Sequence, residues 1–379
     1  MCLEAFTGSG QEVVSDKLIV LGAGASIGGS LYPKHGSWQE SLGRMPSAEN
    51  FFYDVFHHAT TPASEERWID SLGLMAEGLH DFIVEVWGLN RPNGGFDPDV
   101  WKGVNIEAVF TFLDIGARTY NRGTDYQKAF SGLMEELEDF ICLMVGVRSA
   151  DQHCEFLRDV FSRLSENDTV ISFNWDTIAD MTLHGLHAPQ YASYESMLRG
   201  GRFNVQSASR KGQYLKLHGS LNWIACRNRA CRLHTEPVIP FLDREGPPPT
   251  FTDTKPFEKC PECGFKRPRR MIVPPTSHKL IRRGSFLHRL WLIARYTLPR
   301  ISKIVFIGYS FPPTDFYSTW LFRQFRFIDA PDPEVVVVNP AMSDESSEMR
   351  RRYMAIFPGI ELQTYETLKD FARSAWRSM

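Results

Sequence analysis

The chain has 379 residues, of which 43% are hydrophobic and 23% are charged, with a formal net charge of -3 at pH 7. This length suffices for two domains or for one large α/β domain with an insertion, and 27 Phe and 9 Trp argue against disorder. The balanced charge gives no basis for a nucleic-acid-binding protein, so we predict no direct contact with nucleic acid.

The sequence contains no recognisable export or membrane-spanning signal. Residues Met1–Ser15 include Glu4 and Glu12 and contain no apolar run like the core of a signal peptide, so we expect no export. The longest apolar stretches are far shorter than the roughly 20 residues of a membrane helix. Seven cysteines, an odd number without an export signal, favour reduced thiols, some of them metal ligands. We therefore expect a cytoplasmic protein with no membrane association.

Short segments rich in Val and Ile end at polar or glycine-containing turns. Most are near-continuous apolar runs, which is typical of parallel strands covered on both faces, and they predict an open α/β sheet. In such sheets ligands bind beyond the carboxyl ends of the strands, where Gly22, Asn174, His218, Gly308 and Asn339 fall. The predicted strands are Lys17–Leu21, Thr169–Phe173, Tyr214–Leu217, Met271–Val273, Lys303–Ile307, Glu334–Val338 and Glu361–Tyr365.

Two long segments interrupt this pattern. The first separates the first two strands and is far longer than an ordinary crossover, so we predict a helical insertion that covers one side of the site. Its predicted helices are Ser47–Ala59, Glu65–Trp87, Asn105–Arg122, Tyr126–Val145 and His153–Ser165, with a loop at Asn90–Asp99. The second segment, Cys226–Arg270, is rich in proline and cysteine and predicts a small ribbon-like module.

The first strand runs into the glycine loop Gly22-Ala23-Gly24-Ala25-Ser26. Absent side chains would let backbone N–H groups approach a pyrophosphate there. The third glycine of the usual dinucleotide fingerprint would fall at position 27, which is Ile. Spacing alone therefore supports phosphate binding and a tight strand-to-helix turn about equally.

Polar side chains follow the next two strands. Asn174 and Asp176 lie on the same side of an extended segment, where the amide could grip hydroxyls and the carboxylate could stabilise positive charge. A helix-capping turn is the ordinary alternative. His218 ends an apolar strand before Gly219, whose missing side chain would allow a ligand to approach closely. It could act as a general base, a role typically worth about 10²–10⁴ in rate, although a structural histidine is the alternative.

The clustered cysteines form two pairs. Cys226 and Cys231 are followed, after 28 intervening residues, by Cys260 and Cys263. Four thiolates suit a structural zinc ion in tetrahedral coordination, which leaves no position for a catalytic water. His234 could replace one ligand, and reduced surface cysteines are the alternative.

Two further loops follow predicted strands. Gly308-Tyr309-Ser310 comes after the strand at 303–307, and Asn339-Pro340 comes after the strand at 334–338. Both could bind the adenosine half of a dinucleotide, with Gly308 and Ser310 near phosphate or ribose. Neither loop would be distinctive in isolation.

Taken in order, these motifs resemble the sirtuin (silent information regulator-like) superfamily, and more closely the divergent bacterial sirtuin-like proteins of antiphage defence. The resemblance covers 17–223 in patches and 270–365 more continuously, and includes the insertion only through 105–107 and the following helix. It implies a Rossmann-like core over 1–40, 166–225 and 270–379, a helical insertion over 41–165, and a zinc-ribbon-like module over 226–269.

The resemblance also implies NAD+ as the substrate and a role for each motif. Asn174 and Asp176 would line the pocket for nicotinamide and its ribose, and His218 would be the catalytic base. Cys226, Cys231, Cys260 and Cys263 would hold the structural Zn²⁺. The remaining positions would bind the phosphates and the adenosine end: Gly22, Ala23, Gly24, Ser26, Gly308, Ser310 and Asn339.

Departures from the sirtuin pattern bear on the activity. Sirtuin deacylases carry Thr-Gln before the Asn, where this chain has Ser172-Phe173, and the peptide-binding strand after the zinc module is not recognisable in 272–276. We therefore expect an NAD+ glycohydrolase that acts as an antiphage effector. The alternatives are an NAD-dependent protein deacylase, an ADP-ribosyltransferase or a non-catalytic NAD-sensing subunit. The resemblance also implies a homo-oligomer and a defence partner such as a HerA-type ATPase or an Argonaute-type protein.

Overall fold

The computed structural model describes residues 16–27, 31–32, 45–57, 75–89, 98–149, 153–183, 186, 212–239, 258–266, 268–274, 276, 279, 281–327 and 331–374. In chain order the strands and helices are β1 (Asp16–Leu21), α1 (Ala23–Ile27), β2 (Leu31–Tyr32), α2 (Phe51–His57), α3 (Glu77–Val86), α4 (Ile106–Thr119), α5 (Asp125–Ser149), β3 (His153–Cys154), α6 (Glu155–Phe161), β4 (Thr169–Ser172), α7 (Ile178–Leu183), β5 (Tyr214–Lys216), β6 (Gly219–Ala225), β7 (Arg269–Ile272), α8 (Phe286–Thr297), β8 (Ile301–Ile307), α9 (Phe316–Arg323), β9 (Glu334–Val338), α10 (Glu348–Ile356), β10 (Leu362–Tyr365) and α11 (Leu368–Ser374). Short 3-10 helices lie at Pro98–Trp101, Arg232–His234, Leu298–Arg300, Gln324–Phe327 and Pro340–Met342.

A six-stranded sheet forms the centre, in the order β10-β9-β8-β1-β4-β5. Every neighbouring pair in it is parallel, which confirms the predicted α/β class. When only these six strands are numbered along the chain, the order from the β5 edge is 3-2-1-4-5-6. The strand order therefore reverses between β1 and β8, the two central strands.

Both faces of the sheet are buried under helices. Along β1, Ile19 and Leu21 belong to one apolar layer, whereas Leu18 and Val20 belong to the other. Helices α2 to α5 contribute to the first layer, and α8, α9 and α10 contribute to the second. Apolar side chains are needed at every position because successive residues of a strand point to opposite faces. This is why the central strands show continuous rather than alternating hydrophobicity.

Helices occupy much of the segment between β1 and β4, as predicted. Asn105 begins α4, because its side chain accepts a hydrogen bond of 2.7 Å from the Glu107 backbone N–H. Of the predicted helix Glu65–Trp87, residues 65–74 lie outside the described part, and so do 90–97 of the predicted loop. Among the helices of the described ranges, none is long and apolar enough to cross a membrane.

One predicted strand lies outside the main sheet. The segment predicted at 271–273 is the end of β7, which pairs in antiparallel fashion with β6 in a separate two-stranded sheet. Strand β6 was not predicted. It forms because Gly219, with φ +81°, turns the chain sharply after β5, and a Cβ there would lie 2.1 Å from the Met271 carbonyl oxygen. The space beside Gly219 is thus filled by strand β7, not left open for a ligand.

Candidate functional site

The glycine loop packs directly on the loop that follows β8. The Gly22 N–H donates to the Ile307 carbonyl at 3.0 Å, and the Gly24 N–H donates to the Gly308 carbonyl at 2.9 Å. A Cβ at Gly22 would lie 2.5 Å from the Tyr309 Cα, and one at Gly24 would lie 2.7 Å from the Gly308 Cα. The glycines therefore allow two backbone segments to touch where the strand order reverses.

This packing limits how the loop could hold a phosphate. The N–H groups of Gly22 and Gly24 donate within the protein, and the Ala25 N–H donates to the Gly22 carbonyl at 2.9 Å. Ala23 is exposed, and Gly24 is half-buried. The exposed part of the loop is the stretch that remains for contact with a pyrophosphate.

Asn174 follows β4, and its side chain binds the glycine loop at Gly22 and Ser26. Its Nδ2 donates to the Gly22 carbonyl at 2.9 Å and to Ser26 Oγ at 3.2 Å. The residue is 9% exposed, and within the described part of the chain no donor reaches its Oδ1. Its amide group thus fixes the loop while leaving an acceptor for a hydroxyl or a water.

Asp176 has both carboxylate oxygens engaged by protein groups. Oδ1 accepts from the Ile178 N–H at 3.0 Å, at the start of α7, and Oδ2 accepts from Ser26 Oγ at 2.9 Å. Burial raises the pKa of this carboxyl above its ordinary value, and Lys216 opposes that effect. The helix-capping alternative is therefore present in the structure, and Asp176 also anchors the glycine loop.

A buried ion pair behind Asp176 was not predicted. Lys216, in β5, is fully buried, and its Nζ donates to the Asp176 carbonyl at 2.5 Å and to Asp180 Oδ2 at 2.9 Å. The Tyr214 hydroxyl donates to the same Asp180 oxygen at 2.9 Å. An alternating apolar and polar strand pattern could have drawn attention to Lys216, but its partner is 36 residues away in the chain.

His218 lies at the end of β5, beside the site formed by β1 and β4. The imidazole is edge-on to the Phe173 ring, with centroids 4.9 Å apart, and the residue is 9% exposed. Its Nε2 is 3.2 Å from Asp315 Oδ2, yet among the described residues Nε2 has no partner in hydrogen-bonding alignment. Burial lowers the pKa of His218, while Asp315 and a backbone contact with Phe173 oppose this. The ring is thus favoured in the neutral form that a base requires.

Asp315, whose Oδ2 lies near His218 Nε2, precedes α9 and is 1% exposed. The Tyr309 hydroxyl donates to Oδ2 at 2.8 Å, the Ser318 N–H donates to Oδ1 at 3.3 Å, and Lys279 Nζ is 3.2 Å from Oδ1. Burial alone would raise the pKa of Asp315, but the neighbouring His218 and Lys279 bring it well below the ordinary value. Sequence reasoning missed this residue, although Asp before an apolar helix is a capping signal.

The helical segment reaches the same loop through Glu107. Thr314 precedes Asp315 in the chain, and its hydroxyl donates to Glu107 Oε2 at 2.5 Å. Glu107 lies in the first turn of α4, and burial raises the pKa of its carboxyl. The contact joins α4 to the loop that carries Asp315.

The two predicted adenosine-binding loops lie side by side, because β8 and β9 are neighbours in the sheet. Asn339 is half-buried, and its Oδ1 accepts from the Ala341 N–H at 3.0 Å. Ser310 is half-buried, and its carbonyl accepts from Arg352 at 3.5 Å. Both positions are at the expected edge of the sheet, and the Asn339 side chain also caps the 3-10 helix that follows it.

The four predicted cysteines come together in one cluster. All four Sγ atoms lie within 4.8 Å of one another, with Cys226 to Cys263 at 3.6 Å and Cys231 to Cys260 at 3.7 Å. Tetrahedral zinc with Zn–S bonds of 2.3 Å requires S···S distances of about 3.8 Å. The cluster could therefore bind a metal such as zinc.

The surroundings of the cluster support four cysteine ligands. His234 does not join the cluster, because its Nδ1 lies 2.8 Å from the Cys226 carbonyl oxygen. The backbone N–H of Phe265 lowers the pKa of the Cys263 thiol to about 7. The Asn228 N–H donates to Cys226 Sγ at 3.3 Å, although burial raises the pKa of the Cys226 and Cys231 thiols. Donors to sulfur favour the thiolate form that binds metals.

Comparison with known proteins adds no family assignment. No protein-family model matches the chain, and no curated protein matches it significantly. A functional hypothesis therefore depends on the residues at the carboxyl ends of the strands.

Proposed function

We propose that this chain is an NAD+ glycohydrolase with a Rossmann-like core, which cleaves NAD+ to ADP-ribose and nicotinamide. The observation that carries the proposal is His218, whose buried Nε2 lacks an aligned hydrogen-bond partner among the described residues. It lies one strand away from Asn174, since β4 and β5 are neighbours. A buried nitrogen to which no described group donates a hydrogen bond, next to a second polar group, is what a base needs in order to meet a substrate.

The sheet topology supports a dinucleotide as the ligand. The strand order 3-2-1-4-5-6 is that of doubly wound sheets, which bind dinucleotides where the order reverses. In this chain that position lies between β1 and β8, where the glycine loop meets Gly308. The pyrophosphate would lie over this contact, and Ser310 and Asn339 would hold the adenosine side.

The chemistry follows from the groups that face this edge. The bond between ribose C1′ and nicotinamide would break through a transition state with positive charge on the ribose, and a water would form the new bond to C1′. Asn174 Oδ1 would position that water or a ribose hydroxyl, and His218 Nε2 would take up the proton released. Asp176 would act indirectly by holding Ser26 and the glycine loop.

The zinc site and the biological role complete the proposal. The cysteine cluster would hold a structural zinc ion, whose four thiolate ligands would stabilise the module between β6 and β7. An antiphage role, a homo-oligomeric state and a partner of the HerA or Argonaute kind are proposed from the resemblance to sirtuin-like defence proteins alone.

The test is the release of nicotinamide from NAD+, measured by chromatography on the purified protein, alone and with co-purified genomic neighbours. We expect His218→Ala to reduce turnover by about 10²–10⁴ while calorimetric binding of NAD+ persists, because only the base is lost. Asn174→Ala should also reduce turnover. His288→Ala, which removes a half-buried histidine from α8, is the matched control and should leave turnover unchanged.

The alternatives give different results in the same assay. Nicotinamide release that depends on an acylated peptide would indicate a deacylase, and transfer of ADP-ribose to protein would indicate a transferase. NAD+ binding without turnover under every condition would indicate a sensing subunit. Each of these outcomes would refute the glycohydrolase proposal.

A further inference from the structure

The Asp315 carboxylate is held by three groups of the protein, and His218 lies beside it. One oxygen faces Lys279 Nζ and the Ser318 N–H, and the other accepts from the Tyr309 hydroxyl. The same oxygen, Oδ2, is 3.2 Å from His218 Nε2. Because all of these groups are buried, the carboxylate cannot swing away without losing several partners.

Several charged or titratable groups of the described residues surround the Asp315 carboxylate. Lys279 is 3% exposed, and its Nζ lies 3.2 Å from Asp315 Oδ1. Glu107 on α4 lies beyond Thr314, and its charge acts on Lys279 and Asp315, while Arg352 on α10 acts on Glu107. Tyr309 faces the pair with a neutral hydroxyl, whose pKa burial raises well above its ordinary value.

The two charged neighbours act on His218 in opposite directions. A carboxylate 3.2 Å from Nε2 attracts the positive charge of a protonated ring, whereas the ammonium group of Lys279 repels it. Burial is the main cause that favours the neutral ring, Lys279 adds to it, and Asp315 provides a compensating charge when a proton arrives. The ionised Asp315 carboxylate can accept a proton but has none to donate, so it leaves the lone pair of a neutral Nε2 free, and no other described residue donates to this nitrogen.

We infer that Asp315 is the positioning residue that makes His218 an effective base, and that Lys279 opposes it. This inference rests on the proposed function, because it supposes that His218 accepts a proton from a ribose hydroxyl or from the attacking water. The proton moves from that oxygen to Nε2, the oxygen keeps the electron pair for its bond to carbon, and the imidazolium lies against the ionised Asp315. Asp315 itself stays deprotonated, since its pKa lies well below the ordinary range.

The first measurement needs no substrate. NMR titration of the His218 imidazole, assigned by comparison with His218→Ala, reports its pKa in the full-length protein. Asp315→Asn should lower that pKa, with a change in the acid dissociation constant of about tenfold or more, and Lys279→Met should raise it. Asn keeps the acceptor for the Ser318 N–H, so α9 retains its cap. Asp344→Asn, at an exposed turn, is the control and should leave the titration unchanged.

The second measurement is the pH profile of kcat/KM for NAD+ cleavage. We expect Asp315→Asn to reduce kcat/KM at least about tenfold and to shift the acidic limb, which reports protonation of the base, in the direction seen by NMR. Titration shifts of equal sign in the two variants, or no shift in either, would overturn the inference even if NAD+ is cleaved. If Asp315→Asn does not fold, as judged by circular dichroism, the rise expected for Lys279→Met decides the question.

The two proposals fail in different ways. Opposite NMR shifts without any NAD+ cleavage would leave the pairing of Asp315 with His218 intact and refute the glycohydrolase. NAD+ cleavage that is unaffected by Asp315→Asn, with an unchanged His218 titration, would refute only the role of Asp315.

Discussion

Gly308→Ala tests why the central loops contain glycine. The residue has φ +62°, and an added Cβ would lie 2.2 Å from both the Ala25 nitrogen and the Gly24 carbonyl carbon. Those are backbone atoms, so β1 and β8 would have to separate at their carboxyl ends. The hydrogen bond of 2.9 Å from the Gly24 N–H to the Gly308 carbonyl would be strained or lost as a result.

Two effects contribute to the loss in free energy of unfolding caused by Gly308→Ala. Positive φ costs an alanine about 1–2 kcal/mol, and overpacking adds about 1–3 kcal/mol. We therefore expect Gly308→Ala to lower the free energy of unfolding by about 2–5 kcal/mol. Gly359→Ala is the matched control, because Gly359 has φ +84° and no described atom lies within 4 Å of its added Cβ, so only the backbone cost of about 1–2 kcal/mol applies.

Urea denaturation followed by circular dichroism measures both variants under the same conditions. The difference between them isolates the contact between the two loops and should amount to about 1–3 kcal/mol. Equal losses in the two variants would refute the reasoning, since they would show that the close backbone approach adds nothing beyond positive φ. NAD+ binding by Gly308→Ala should weaken as well, because the proposed pyrophosphate site lies over this contact.

The remaining predictions concern Asp176 and the cysteine cluster. Burial raises the pKa of the Asp176 carboxyl above 3.8, so the native state binds a proton there more tightly than the unfolded state does. The contribution of this proton to the free energy of unfolding is therefore complete below about pH 4 and declines as pH rises through the raised pKa. Asp176→Asn should remove this decline, as urea denaturation of the wild type and the variant at pH 4 and pH 7 will show. An equal decline in the free energy of unfolding of both proteins would contradict the prediction. The cysteine cluster should bind about one zinc per chain by plasma mass spectrometry, and Cys263→Ser should lose it, whereas Cys142→Ala, outside the cluster, should retain it. Chelation should also lower the thermal midpoint, and a metal-free protein of unchanged stability would exclude a structural ion.

Local patterns in the sequence were sufficient for much of the fold. The strand at Glu334–Val338 is found where it was predicted, because an apolar run bounded by turn residues is complete within a few positions. The cysteine pairs were recognisable for the same reason, since their short spacings are a local property. Gly219 was noticed but misinterpreted, because its positive φ and its contact with Met271 depend on a segment about fifty residues away.

By itself, the sequence determined the α/β class, the positions of the central strands and the four cysteines that could bind a metal. Only the tertiary structure decided which side chains meet. It placed Asp315 and Lys279 against His218, and it directed the amides of the glycine loop towards β8. The physical reason is that strand order brings distant residues together, and burial then gives their charges an effect on one another that no spacing along the chain records.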